Sequence, residues 1–134
     1  MRCLILHCRT FSYTLDHPTA VAEPISSDET KKFTNCLVVF ATCESHDTEE
    51  TAKTSAIEVA RVARSVSADQ TVINPFAHLS NDLAKPEHAM RVLHELASKL
   101  AERGVETEYS PFGWYKEFCF EVFGHDNSQL FRAF

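Results

Sequence analysis

The chain has 134 residues, a length typical of one domain that buries a hydrophobic core without a disulfide or a metal. Hydrophobic residues make up 44% and charged residues 24%, as in ordinary soluble globular proteins. No apolar run approaches the roughly 18 residues of a membrane span. The formal net charge of −6 argues against a surface that grips a long stretch of phosphate backbone. We therefore expect a single cytoplasmic domain over residues 1–134 that contacts at most the tip of a nucleic acid.

The chain has five cysteines: Cys3, Cys8, Cys36, Cys43 and Cys119. They form no C-x-x-C pair, which argues against a zinc knuckle or a thioredoxin-type redox motif. Most lie in apolar, strand-like runs, as buried reduced thiols of cytosolic proteins do. A metal site built from Cys3, His7 and Cys8 is disfavoured, because alternation along a strand places Cys3 and Cys8 on opposite faces. We predict no metal and no cofactor.

The first third of the chain is predicted to consist of strands. Apolar runs predict short strands at residues 2–8 and 11–15, followed by a loop at 16–29 that is rich in Pro, Ser, Asp and Thr. Residues 35–43 are continuously apolar with a β-branched centre, which predicts a strand buried on both faces. Three strands are therefore expected before the first helix.

Two amphipathic helices are predicted in the middle of the chain. The first has Asp47 and Glu50 at its start, in the positions of a capping box. The second begins at Pro86 and ends at Gly104. The spacing of apolar residues predicts about 18 residues for each helix. A strand at residues 70–74 is expected to separate them.

Two further strands are predicted near the C-terminus, at residues 105–109 and 117–123, with a turn at 110–113 between them. The predicted order of elements along the chain is therefore β-β-β-α-β-α-β-β. This order indicates a layered α/β or α+β domain, and it excludes a helix bundle and a pure β-sandwich.

Two segments combine polar groups with tight backbone turns. Residues 74–80 read NPFAHLS and follow a buried strand, at the end of a sheet where α/β proteins usually bind ligands. Residues 110–116 bring Trp114, Tyr115 and Lys116 into a Pro/Gly turn. An aromatic turn with one cation suits an anionic or sugar-phosphate ligand. The residues alone thus predict a cleft between two turns.

The same residues also have plainer interpretations. His78 could be a structural histidine that takes no part in chemistry. Trp114 and Tyr115 could simply pack the turn onto the core. Lys116 could be an ordinary solvated lysine. From the residues alone, these interpretations stay open beside the functional one.

A cysteine hydrolase is another alternative. Cys8 or Cys43 would be its nucleophile. His7 or His78 would act as its base. Nothing in the sequence around either cysteine indicates a lowered thiol pKa, so this alternative has no specific support.

Several short motifs occur in a fixed order along the whole chain. They are MRCLILHC at 1–8, EPIS at 23–26, PFAHLS at 75–80, LAKP at 83–86, ERG at 102–104, PFGWYKEF at 111–118 and GH at 124–125. Together they resemble the N-terminal editing domain of archaeal threonyl-tRNA synthetases. The resemblance implies a fold similar to that of D-aminoacyl-tRNA deacylases, with two long helices packed on the outside of the sheet, and a homodimer.

The resemblance also implies an activity, the removal of L-serine wrongly attached to threonine tRNA while threonyl-tRNA is spared. The implied partners are the tRNA 3′ end and the remainder of the synthetase, in the same chain or in a separate protein. The positions that match functional residues of the family are His78, Tyr115 and Lys116. The backbone of four residues would line the pocket for the aminoacyl group and the terminal adenosine: Cys43, Pro75, Phe76 and Ala77.

One position departs from the family pattern. The family carries GH-x-x-x-E, and the place of its glutamate is taken here by Gln129. A glutamine keeps the hydrogen-bonding reach but cannot titrate, so we expect Gln129 at most to orient Lys116 or the substrate.

Two other functions stay open beside this one. A D-aminoacyl-tRNA deacylase is disfavoured, because those enzymes carry an NxGPVT-like motif where this chain reads NPFAH. A catalytically silent module that binds the tRNA 3′ end would be distinguished by binding without turnover.

Overall fold

The described residues, 1–25 and 30–134, form six strands and two helices in a computed structural model. The elements are β1 (Arg2–Pro18), β2 (Thr30–Thr42), α1 (Glu49–Ser65), β3 (Gln70–Pro75), α2 (Pro86–Glu102), β4 (Thr107–Tyr109), β5 (Trp114–Val122) and β6 (Gln129–Ala133). Within these two ranges, no helix is long and apolar enough to cross a membrane.

The six strands form one mixed sheet in the order β4-β3-β2-β1-β5. β2, β3 and β4 are parallel neighbours, whereas β1 runs antiparallel to β2. β5 and β6 both pair with the other edge of β1. β6 pairs with the first residues of β1, and β5 pairs with the later residues of β1. The carboxyl ends of β2 and β3 consequently lie side by side at one edge of the sheet.

Alternation along β2 explains its central place. Leu37 and Val39 face α1 and α2, in a cluster that we call the helix-side core. Val38 and Phe40 face the other way, in a second cluster with residues of β1, which we call the aromatic core. The predicted strand at 35–43, buried on both faces, is confirmed, although β2 begins five residues earlier.

The prediction of two separate strands at 2–8 and 11–15 is wrong, because β1 is continuous. The alternation of buried and exposed side chains in β1 is interrupted at Arg9, where the register of β1 against β5 shifts by one residue. Asn35 of the neighbouring strand has a positive φ of 43°. Before the break the even-numbered side chains of β1 face the aromatic core, and after it the odd-numbered ones do. The interruption in the sequence pattern thus marks a bulge within one strand.

The loop predicted at 16–29 begins later than expected. β1 extends through Pro18, and an irregular segment follows at residues 19–25. Residues 26–29, which include the serine of the EPIS motif, lie outside the described residues.

Asp47 does not cap α1, contrary to the prediction. The N-cap is Thr48, whose hydroxyl accepts a hydrogen bond from the Thr51 backbone N–H, and the Thr51 side chain bonds back to Thr48. Asp47 is buried and pairs with the amino group of Met1. The capping box therefore begins one residue later than predicted, because the Asp47 carboxylate is bound in the ion pair with Met1.

The second helix is confirmed. α2 begins at Pro86, a residue suited to the first helical position because it lacks an N–H. Gly104 follows the helix with φ of 73°, a left-handed conformation that ends helices and that glycine adopts without strain. Each helix has 17 residues, close to the predicted length.

Two predictions near the C-terminus are wrong. Trp114, Tyr115 and Lys116 belong to β5 and not to the turn before it. β6 was not predicted, and an additional strand therefore ends the chain. Its side chains alternate between exposed and half-buried on a short edge strand, so they give only a weak hydrophobic signal.

Candidate active site

A cavity of about 440 Å³ opens at the carboxyl ends of β2 and β3. Its walls come from the end of β2, the segment that follows β3, the first half of α2 and the turn that leads into β5. The two segments predicted to flank a cleft, 74–80 and 110–116, both contribute to this lining. Their shared cavity is the candidate active site.

A buried hydrogen bond joins these two segments. Asn74 lies near the end of β3 and Ser110 follows β4, and neither side chain is exposed to solvent. The Ser110 hydroxyl donates to Asn74 Oδ1 at 2.6 Å, and the Ser110 N–H donates to the Ile73 carbonyl at 2.9 Å. Breaking a buried polar pair leaves unsatisfied groups, so this contact fixes the two cavity walls relative to each other.

The segment after β3 is held by its backbone. The Phe76 N–H donates to the Ala41 carbonyl at 2.9 Å, and the Thr42 hydroxyl donates to the Phe76 carbonyl. The Leu79 N–H donates in turn to the Thr42 hydroxyl at 3.3 Å. Pro75, Phe76 and Ala77 line the cavity. The backbone of Phe76 is thus tied to the end of β2 through both its N–H and its carbonyl.

His78 lies on the same wall with its side chain exposed. Its ring packs edge-on against Phe76, with the ring centroids 4.9 Å apart and the planes at 77°. This contact orients the imidazole at the cavity surface. A structural role and a role as base are both compatible with this position, so the role of His78 stays a prediction.

Lys116 also lines the cavity, and its side chain is half-buried. Its Nζ donates to the Pro111 carbonyl at 2.6 Å. Burial lowers the pKa of Lys116 to about 8, and the charge of Glu23 acts in the opposite direction. An ordinary solvated lysine is not desolvated in this way. Lys116 thus presents a cation to the cavity at neutral pH and titrates close to that range.

The two aromatic residues beside Lys116 have different surroundings. The Trp114 indole N–H donates to the Glu23 carbonyl at 2.8 Å, which ties β5 to the segment at 19–25. Tyr115 is exposed at the cavity mouth, where its ring stacks on His17 with the centroids 4.4 Å apart. Trp114 therefore packs the turn, as its plainer interpretation has it, whereas Tyr115 remains accessible to a ligand.

Cys43 lines the cavity but is a poor nucleophile. Burial raises the pKa of its thiol to about 12, and the charge of Asp47 adds to the effect. Cys8 lies in the aromatic core and is not part of the cavity lining. The thiolate is the reactive form of cysteine, and burial disfavours it at Cys43. A hydrogen bond with Cys36 lowers the pKa of Cys8, but this thiol lies away from the cavity, so the cysteine-hydrolase alternative gains no support.

The other cysteines follow the strand pattern with one exception. Cys3 packs in the helix-side core and Cys8 in the aromatic core, so they do lie on opposite faces of the sheet. Cys119 is exposed, whereas the other four cysteines are buried. Across residues 1–25 and 30–134, no cluster of three or more His, Cys, Asp or Glu side chains could hold a metal ion.

Gln129 does not lie with the other predicted site residues. It pairs with Leu6 at the start of β6, whereas Lys116 pairs with Leu15, nine positions further along β1. Gln129 is also outside the cavity lining. The expectation that Gln129 orients Lys116 or the substrate therefore stays a prediction, without support from the cavity lining.

Sequence reasoning missed two residues that shape the cavity. Thr42 ends a continuous apolar run, and nothing in the sequence shows that its hydroxyl would hold the Phe76 carbonyl. Glu23 contacts the turn before β5 through its carboxylate. Its place in the EPIS motif was the only available signal, and it indicated no contact.

The fold places the chain in a known structural class. The chain is similar to the solved structure of c-Myc DNA Unwinding Element Binding Protein, with a TM-score of 0.74 and 12% identity over 99% of this chain and 98% of that one. At this identity the likeness concerns the fold alone. It confirms the predicted class, a layered α/β domain.

Sequence comparison gives the family. The family model described as the archaea-specific editing domain of threonyl-tRNA synthetase matches residues 1–134. The chain is 41% identical over 136 residues to a threonine–tRNA ligase of Thermofilum pendens and 38% identical over 136 residues to one of Methanopyrus kandleri. Each match covers 99% of this chain but 22% of the relative's length. The chain therefore belongs to this editing-domain family and spans about a fifth of those relatives.

Proposed function

We propose that this domain hydrolyses the ester of L-seryl-tRNA for threonine and spares threonyl-tRNA. The observation that carries the proposal is the cavity, whose lining brings together residues 75–77, held to the end of β2 through Phe76, and a partly desolvated lysine. Membership of the editing-domain family supplies the class of reaction. A D-aminoacyl-tRNA deacylase and a silent binding module are outcomes that the experiment below separates from it.

Selection between serine and threonine requires a second site. A synthetic site for threonine rejects serine weakly, because one missing methyl group forfeits only about 1–3 kcal/mol of binding. An editing site reverses the preference if it admits serine and excludes the extra methyl. The wall at 75–77 suits this task, since the hydrogen bonds of Phe76 hold it against the end of β2. Overpacking by one methyl typically costs about 1–3 kcal/mol.

Small side chains in the cavity lining are consistent with a site that admits serine and excludes threonine. Ala41, Cys43 and Ala84 lie beside the wall at 75–77. Ala84 is fixed there because its N–H donates to the Cys43 carbonyl at 3.1 Å. We assign this end of the cavity to the aminoacyl group, and the mouth beside Tyr115 to the terminal adenosine, whose base can stack on an exposed aromatic ring.

The chemistry is attack of water on the ester carbonyl. The oxygen of water bonds to the carbonyl carbon, the bond to the ribose oxygen breaks, and a proton passes to that leaving oxygen. Negative charge develops on the carbonyl oxygen, and the Lys116 ammonium stabilises it. Of residues 75–77, the Ala77 backbone N–H can add to this effect, since Pro75 has no N–H and the Phe76 N–H donates to the Ala41 carbonyl. The free vicinal hydroxyl of the terminal ribose positions the water, and His78 is the side chain to test as an alternative base.

Charge indicates how the substrate is held. A net charge of −6 does not favour wide contact with the tRNA backbone. The remainder of the synthetase, in the same chain or in a separate protein, would bind the body of the tRNA and deliver its 3′ end. The reaction would take place in the cytoplasm, where aminoacyl-tRNA is made, and we expect the domain to act as a homodimer.

The experiment offers three esters to the isolated chain in parallel: L-seryl-, L-threonyl- and D-aminoacyl-tRNA for threonine. We expect rapid loss of the seryl ester alone, with Lys116→Met as the inactive control. Preferential hydrolysis of the D-ester would identify a chiral proofreading enzyme. Binding of the tRNA end without loss of any ester would identify a silent module.

A further inference from the structure

The irregular segment at residues 19–25 is closely bound to the turn before β5. Both the N–H and the hydroxyl of Thr19 donate to the Gly113 carbonyl, at 2.8 and 2.7 Å. Gly113 has φ of 74°, and a Cβ there would lie 2.8 Å from Ala22 Cα and from the Val21 carbonyl oxygen. The turn therefore requires glycine both for its conformation and for the approach of this segment.

Glu23 makes most of the remaining contacts between the two. Its carboxylate accepts a hydrogen bond from the Phe112 N–H at 2.6 Å and contacts His94 Nε2 on α2. Its backbone N–H donates to the Phe112 carbonyl at 3.0 Å, and its carbonyl accepts from the Trp114 indole at 2.8 Å. One residue thus connects the segment, the turn, the first residue of β5 and α2.

The same turn holds Lys116. The Lys116 Nζ donates to the carbonyl of Pro111, the neighbour of the residue that Glu23 binds. The negative charge of Glu23 opposes the effect of burial on the Lys116 ammonium. The carboxylate therefore acts on Lys116 both through the position of Pro111 and through the field of its charge.

Other titratable groups surround this pair. From α2, His94 touches Glu23 and stacks on Tyr109 of β4 with the centroids 4.1 Å apart. Burial and the charge of Glu23 raise the pKa of Tyr109, so that group stays neutral. His78 lies on the same cavity as Lys116, and the partner of Lys116 on β1 is apolar. The variants in the test below leave His94, Tyr109 and His78 unchanged.

We propose that Glu23 is a positioning residue for Lys116, acting through the turn at 110–114 and through its negative charge. This inference rests on the proposed function, in which the Lys116 ammonium acts on the reacting ester. In this role Glu23 does not contact the substrate.

The test is the pH dependence of seryl-tRNA hydrolysis by wild type, Glu23→Gln and Glu121→Gln. Glutamine keeps an oxygen that can accept from the Phe112 N–H but removes the charge. We expect the alkaline limb of kcat/KM to move to lower pH by about one unit in Glu23→Gln. That shift lowers activity about fivefold at pH 8 and about twofold at pH 7. Glu121→Gln removes an exposed carboxylate that pairs with Arg9, and its profile should match wild type.

A second readout does not need turnover. The Lys116 side-chain signal, assigned by its loss in Lys116→Met, is titrated by NMR in isotope-labelled domain without tRNA. We expect its midpoint to fall in Glu23→Gln and to return towards the wild-type value in Glu23→Asp, which restores the charge. If Glu23→Gln fails to fold, the comparison of Glu23→Asp with Glu23→Ser by the same titration replaces it.

The two hypotheses fail differently. An unchanged Lys116 midpoint, or a rate profile for Glu23→Gln that coincides with wild type, overturns the role of Glu23. A shifted midpoint in a domain that hydrolyses no ester supports the role of Glu23 and overturns the proposed function. Equal shifts in Glu23→Gln and Glu121→Gln would show a general effect of net charge and also overturn the role of Glu23.

Discussion

Replacing Lys116 with methionine should inactivate the domain and make it more stable. Burial of the ammonium lowers its pKa from 10.5 to about 8, which corresponds to a cost of about 3 kcal/mol for the charged form in the folded state. Methionine fills similar space without this cost, but it leaves the Pro111 carbonyl without its donor at 2.6 Å, a loss of about 1–2 kcal/mol. We expect a net gain of about 1–2 kcal/mol at pH 7, together with a loss of about 10²–10³ in rate.

The stability difference should depend on pH in a defined direction. Below pH 8 the lysine is protonated in both the folded and the unfolded chain, so wild type bears the whole cost. Between about 8 and 10.5 the folded chain releases the proton before the unfolded chain does, and wild type gains stability as pH rises. The advantage of Lys116→Met should therefore shrink across this window, while contributions from other groups cancel in the difference.

Urea unfolding of both proteins at pH 7 and pH 10 measures this effect, with Lys99→Met as the control. Lys99 lies on α2 and pairs with Glu102 at 2.8 Å, so its replacement should change neither activity nor the pH dependence. A Lys116→Met protein that is less stable than wild type at pH 7, or a difference that is equal at both pH values, would refute the argument that a desolvated cation occupies the cavity wall.

Three further predictions concern groups that the account treats as dispensable or as supplied by the substrate. The rate of seryl-tRNA hydrolysis should stay within about a factor of three in Cys43→Ser, in Cys8→Ser and after treatment with EDTA, because the Cys43 thiol is not ionised and Cys8 lies in the aromatic core. Inactivation of a folded variant, or inactivation by EDTA, would instead support a thiol or metal mechanism. Gln129→Ala should leave the isolated domain near wild type, and Gln129→Glu should introduce no new acid limb, because residue 129 lies outside the cavity; damage as severe as in Lys116→Met would make it a primary catalytic group. A substrate without the free vicinal hydroxyl on its terminal adenosine should be hydrolysed poorly, and normal turnover would transfer the role of positioning water to a side chain, with His78→Ala as the next variant.

Local chemistry determined the elements that were predicted well. Pro86 and Gly104 mark the ends of α2 through their own backbone preferences, which depend little on the rest of the fold. The unbroken apolar run in β2 predicts burial on both faces wherever the strand lies in the sheet. The two motif segments were expected to flank one cleft, and the buried bond between Asn74 and Ser110 holds them there.

Tertiary contacts determined the features that the sequence did not predict. Asp47 has the right residue type for an N-cap, but an ion pair with the amino group of Met1 removes it from that role. Gln129 lies five positions after the GH glycine, a spacing that gives no indication that residue 129 would lie outside the cavity lining. Glu23 reaches the site across more than 80 residues of chain, and no local pattern predicts such a contact.

The central claim is that the cavity accepts serine and refuses threonine, and the ratio of two rates tests it most directly. Single-turnover hydrolysis of L-seryl- and L-threonyl-tRNA for threonine would be measured with the isolated chain in excess. A fixed wall that excludes one methyl group predicts a ratio of at least about 10 in favour of the seryl ester. Equal rates for the two esters, or faster loss of the threonyl ester, would contradict the account.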